Sequence, residues 1–114
     1  MKTVRELISD IQVEVGKGDL QPGRAAELLN QLSALLGNCN EEIRVRDLEY
    51  SKVLLRWLDI EKKANRAKIN AEITPEFQAK QIARNTKELA LEMQRSLKYY
   101  LKAKEEEYRH SGNM

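Results

Sequence analysis

Between Pro75 and Arg109 the chain carries no further proline and no glycine, so nothing in it interrupts a helix of about 35 residues, roughly 50 Å long at 1.5 Å per residue. Along this stretch Ala79, Ile82, Leu89, Ala90, Met93, Leu97, Tyr100, Leu101 and Tyr108 recur at helical spacing. With about 100° per residue and Lys80 set at zero, they centre near 240°. A helix this long with one apolar stripe needs other helices to cover it, which constrains the rest of the chain.

The start of that helix is sharply marked. In Glu72-Ile73-Thr74-Pro75, Thr74 is a good N-cap, Pro75 suits the first helical position and Glu76 suits the positive end of the dipole. A residue before proline disfavours helical geometry, so the preceding helix should end here. That preceding helix is expected over 40–72, with Asn40 as N-cap and Glu41 and Glu42 in its first turn. Ile43, Tyr50, Trp57, Ala64 and Ala71 recur in it every seven residues, beside a second row of Val53, Ile60 and Ala67. Folded about 73–74, the hairpin sets Ala67 near Ala79 or Lys80, Ala64 near Ile82, Val53 opposite Met93 and Tyr50 opposite Leu97.

Two shorter helices precede the hairpin. Thr3 and Glu6 form a capping box for a helix over 3–16, with Val4, Leu7, Ile8, Ile11 and Val15 on one side. Gly16-Lys17-Gly18-Asp19 ends it, and Pro22 opens a second helix over 21–36 that Gly37-Asn38 should stop. From Leu48 to Ile60 apolar residues point in most directions, so these two helices are the expected cover at the hairpin's base. The fold class expected is all-α: a long antiparallel hairpin, 40–72 and 75–110, with 3–16 and 21–36 packed on its base. Residues 1–110 form one domain, and 111–114 a frayed tail.

The composition agrees. Charged residues make up 33% and aromatic residues 5%, as in long helices and coiled coils, and the heptads lead one to expect a homo-oligomer. No apolar run reaches the roughly 18 residues of a membrane span, so no membrane partner is expected. Met1-Lys2-Thr3 leads to Glu6 and Asp10, unlike a signal peptide. A cytoplasmic location is the expectation. Cys39 is the one cysteine, a free thiol in a reducing compartment or a cross-link between chains.

Catalytic chemistry finds little footing. The one histidine, His110, pairs with Glu107 as Glu-x-x-His, but a di-iron bundle needs a second such pair. No Asp or Glu is followed three positions later by another, and no glycine-rich phosphate loop occurs. Ser51, Ser96 and Cys39 lack a histidine nearby in sequence. No enzyme activity, metal or cofactor is expected.

The charge is unevenly placed. Residues 1–61 hold 8 basic and 11 acidic side chains, whereas 62–87 hold 7 basic against Glu72 and Glu76. Lys80, Arg84, Lys87, Arg95, Lys98 and Lys102 all fall within an arc of about 80° on the last helix, away from the apolar stripe. Like charges at i,i+3 and i,i+4 repel by a few tenths of a kcal/mol per pair. Lys68 should approach Lys80 at the hairpin tip. These seven residues are the expected anion-binding set, against the alternative of a solvated face.

Ala-Asn-Arg-Ala-Lys (64–68), Ile-Thr-Pro-Glu-Phe (73–77) and Arg-Ser-Leu-Lys-Tyr-Tyr-Leu (95–101), ending in a Glu-rich segment, resemble small helical accessory proteins of tailed phages and prophages. The resemblance covers less than half the chain and matches no defined motif. It implies service to phage DNA metabolism or a block on host defence, by binding rather than catalysis, in the host cytoplasm. The function expected is capture of nucleic acid, a nucleotide or another anionic ligand on the basic face. The alternatives are an inhibitor or adaptor that docks on a host protein, and a structural coiled-coil assembly protein.

Overall fold

The computed structural model describes residues 3–112. The fold is all-α, a helical hairpin of two long helices with two short ones, one before the first long helix and one between the two: α1 (Val4–Gly16), α2 (Pro22–Glu61), α3 (Ala64–Glu72) and α4 (Pro75–Gly112). No strand occurs among the described residues. The chain divides into two compact units, residues 1–37 with 88–114 and residues 38–87. Part of the expected frayed tail, 113–114, lies outside the described residues.

In the first unit α1 begins as its sequence predicts. The Thr3 hydroxyl accepts the Glu6 N–H at 3.2 Å, and Leu7, Ile8 and Ile11 are buried. The helix ends in a turn through Gly18, whose φ of 76° only glycine adopts without strain. Leu7, Ile8 and Ile11 pack with Ala25, Leu28 and Leu32 of α2 and with Ala90 and Leu97 of α4. Ile11, Leu28, Leu32 and Leu97 are the largest fully buried side chains. Polar groups tie the edges: the Gln94 amide donates to Ser33 Oγ at 2.8 Å, and the Tyr100 hydroxyl donates to the Leu20 carbonyl. Arg24 grips Glu14 in a fork, with Nε 3.0 Å from one oxygen and Nη2 2.7 Å from the other. That hydrogen bond holds the Glu14 carboxyl below its usual range.

Two helix boundaries differ from expectation. Gly37-Asn38 does not stop a helix; α2 runs through it to Glu61. A mid-helix glycine costs about 1 kcal/mol relative to alanine. Leu32 on one side and Cys39 on the other are both buried, and burying such side chains outweighs that cost. The expected helix over 40–72 is broken instead at Lys62, which has a left-handed φ of 63°. Lys63 is extended and caps α3 with no side-chain hydrogen bond.

The gain from the break is tertiary. In a straight helix Ala71 would lie about 30 Å beyond Tyr50. Folded back, α3 sets Ala71 against Tyr50 and Val53, with Leu54, Trp57 and Phe77 around them. Ala67 and Ala71 are wholly buried, so the alanine stripe serves close packing of α3 rather than the seam of a two-helix hairpin. Asn70 also reaches back, donating to Glu61 at 3.3 Å. At the tip Thr74 Oγ1 accepts the Phe77 N–H, Pro75 opens α4 and Glu76 lies in its first turn, as expected.

Because α3 takes up nine residues, the expected register is displaced. Tyr50 meets Phe77, with ring centroids 5.3 Å apart, not Leu97, which belongs to the first unit's core. Val53 belongs to the Tyr50 cluster and Met93 packs against the first unit's core. Ala64 and Ile82 are both exposed. Asp47 pairs with Arg84 while Tyr50, later in α2, meets Phe77, earlier in α4, so α2 and α4 are antiparallel within this unit.

A left-handed lysine is strained by about 1–2 kcal/mol. The Lys62 side chain makes a 3.6 Å ion pair with Asp59, both side chains largely exposed, which contributes little. Lys62→Gly is therefore expected to raise stability by about 1 kcal/mol, read as a higher urea midpoint with an unchanged slope.

Candidate functional site

The orientation of α4 decides what its basic row can do. Its buried residues are Ala83, Ala90, Gln94 and Leu97, which centre near 290° on the scale used above, about 50° from the expected seam. Ile82 is 53% exposed and Tyr108 81%, so neither belongs to the seam. The rotation carries one edge of the basic arc toward protein and swings the opposite flank outward.

The expected anion-binding residues accordingly separate. In the unit of residues 38–87, Lys80 is half-buried and its ammonium lies 4.4 Å from the Tyr50 ring centroid, a cation–π contact. Arg84 Nη2 is 2.5 Å from Asp47 Oδ2, while Asp47 Oδ1 is buried without a hydrogen-bond partner among the described residues. Lys87 is half-buried. Its charge opposes the burial that pushes the Cys39 thiol up. Lys68 is exposed on α3. Lys80 and Arg84 thus hold α4 to its neighbours, Lys80 on the face of the Tyr50 ring and Arg84 with its charge compensated by Asp47.

In the other unit, Arg95, Lys98 and Lys102 are all exposed. Among the described residues none of the three has an ion pair or hydrogen bond. The contrast is with Arg24, Arg44, Arg46, Arg84 and Arg109, each of which meets a carboxylate. The three follow one another at i, i+3 and i+7, about 10 Å of helix. Tyr99 stands among them, 78% exposed. At about 100° on the same scale it lies outside the basic arc; its signal, an aromatic between two cations, becomes legible only once the core's direction is known.

No other place offers stronger chemistry. A cavity of about 260 Å³ is lined by Leu7, Asp10, Val13, Glu14, Arg24, Leu28 and Gln31, below the usual range of ligand pockets. Its central ion pair is internally satisfied. Among the described residues there is no cluster of three metal-ligating side chains, and no helix is long and apolar enough to cross a membrane.

No family model, curated protein or solved structure matches this chain. The chemistry of its own surface therefore carries the functional reading.

Proposed function

We propose that this protein is a non-enzymatic binding protein whose α4 engages the phosphates of a nucleic acid through Arg95, Lys98 and Lys102. The observation that carries this reading is three exposed cations on adjacent turns, none of them in an ion pair among the described residues, in a chain whose other arginines are mostly paired. Like charges so placed repel one another. An anion relieves that repulsion, and the long flexible stems let each head follow a phosphate.

Three phosphate contacts set the expected salt dependence. The logarithm of affinity should fall with the logarithm of salt concentration at a slope of about −2 to −3, an affinity loss of about 20- to 40-fold between 50 and 200 mM salt. Binding of a labelled oligonucleotide across a salt series measures this. Affinity independent of salt, or no binding at low salt, would sink the proposal.

A second reading rests on the unit of residues 38–87. Leu55, Ile60, Ile69 and Ile73 are each more than 60% exposed, while its buried set is mostly small: Ala67, Ala71, Ala83 and Cys39. Scattered exposed apolar residues are ordinary, but this proportion favours association with a protein surface. Self-association is the first form to test. Light scattering should then give a multiple of the chain mass that Leu55→Glu lowers; a monomeric wild-type protein would remove this form.

A further inference from the structure

We infer that the nucleic acid taken by α4 is single-stranded, with one base stacked on Tyr99 while Arg95, Lys98 and Lys102 hold the flanking phosphates. This deepens the proposed function and rests on it.

The first ground is the direction of Tyr99. With the buried side of α4 near 290°, the outermost line of the helix lies near 110°, and Tyr99 falls at about 100°. Its ring is 78% exposed and, among the described residues, has neither a hydrogen bond nor a ring partner. Two of the chain's other aromatic side chains show the alternative, whereas Tyr108 is as exposed as Tyr99 but lies near 280° on the helix, away from the basic row. Tyr50 packs on Phe77, and Tyr100, its neighbour, reaches the Leu20 carbonyl and lies beneath the Lys104 ammonium. A phenol ring left at the apex of a helix presents a π-face to whatever docks there.

The second ground is the charge around that ring. Arg95 precedes Tyr99 by four residues, Lys102 follows by three and Lys98 adjoins it, so cations surround the ring on both sides along the axis. An aromatic platform among cations is how single strands are held without sequence readout, the base stacking while the backbone tracks the charges.

The third ground excludes the duplex. Glu92 and Glu106, both exposed, lie seven residues to either side of Tyr99, close to its line on the helix, and Glu88 is exposed one turn before Glu92. A duplex laid along α4 would press its phosphates onto these carboxylates. Its bases, already stacked, would have no use for the ring. A single strand that crosses α4 within the roughly 21 Å between Glu92 and Glu106 meets Arg95, Lys98, Tyr99 and Lys102, with the uncharged Ser96 and Ala103 beside them, while Glu105 is paired with Arg109. The footprint is accordingly short, a few nucleotides.

The test compares a short fluorescein-labelled oligothymidylate with a labelled duplex of equal length, by anisotropy at low salt, for wild type, Tyr99→Ala and Tyr99→Phe. Wild type should prefer the single strand. Tyr99→Ala should weaken its binding about tenfold, with the salt slope unchanged, and Tyr99→Phe should stay within about twofold because the stacking face is kept. Circular dichroism should show equal helicity, since the side chain is outside the core. Equal affinity for duplex and single strand, or an unaffected Tyr99→Ala, would overturn the inference and leave phosphate binding by α4 standing. Absence of binding to either probe would overturn both.

Discussion

Replacing Arg95, Lys98 and Lys102 together with glutamate is expected to lower nucleic-acid affinity at least a hundredfold at low salt, while helicity and melting temperature stay close to wild type. Neutralising three phosphate contacts removes a salt-dependent term with a slope of about −2 to −3, and reversing the sign adds repulsion. The fold should tolerate the change because all three side chains are exposed and, among the described residues, none has a carboxylate partner to lose. Arg84 is deliberately outside this set. Its guanidinium neutralises Asp47, whose second oxygen is buried without a hydrogen bond, so Arg84→Glu would place two carboxylates together and confound folding with binding. The matching control is Lys52→Glu with Arg56→Glu, exposed cations of the other unit, which should change affinity far less. If the triple variant binds as wild type does, the site on α4 is wrong.

The largest effect on stability is expected from Leu97→Ala, a loss of about 3 kcal/mol. Leu97 is buried in the cluster that joins α1, the first part of α2 and the last part of α4. Truncation loses the transfer energy of the removed carbons and leaves a cavity that rigid helices cannot fully close. For a chain of this size that lowers the melting temperature by about 10–20 °C, and thermal denaturation followed by circular dichroism measures it. A shift of only a degree or two would mean that Leu97 is not in a packed core. Leu97 adjoins Lys98, so the two variants separate stability from binding at neighbouring positions of one helix: the first should melt early, the second should bind weakly.

The same helix shows how far sequence reasoning reaches. Thr3, Pro22, Thr74 and Pro75 mark helix starts in the sequence, and the structure begins α1, α2 and α4 at or beside them. Those signals are local. A cap hydroxyl meets an N–H three residues on, and proline fixes its own φ, whatever surrounds them. The three exposed cations of the candidate site were also legible, as members of a longer row. What was not legible was which members are engaged, because Lys80 over Tyr50 and Arg84 on Asp47 depend on the register between helices. That register follows from a break the sequence does not announce.

Amino-acid order alone therefore determined the all-α class, the long final helix, the turn at Thr74-Pro75 and the basic character of one side of α4. Tertiary structure decided that α2 passes through Gly37, that Lys62 takes a left-handed conformation, that α3 folds back on Tyr50 and Val53, and that Tyr99 faces outward. The physical reason is the range of the forces. Capping and φ restriction act within about one helical turn. Burial of apolar area acts between residues distant in the chain. Worth more than the roughly 1–2 kcal/mol of a mid-helix glycine or a left-handed lysine, it overrides local preference wherever a core can be completed.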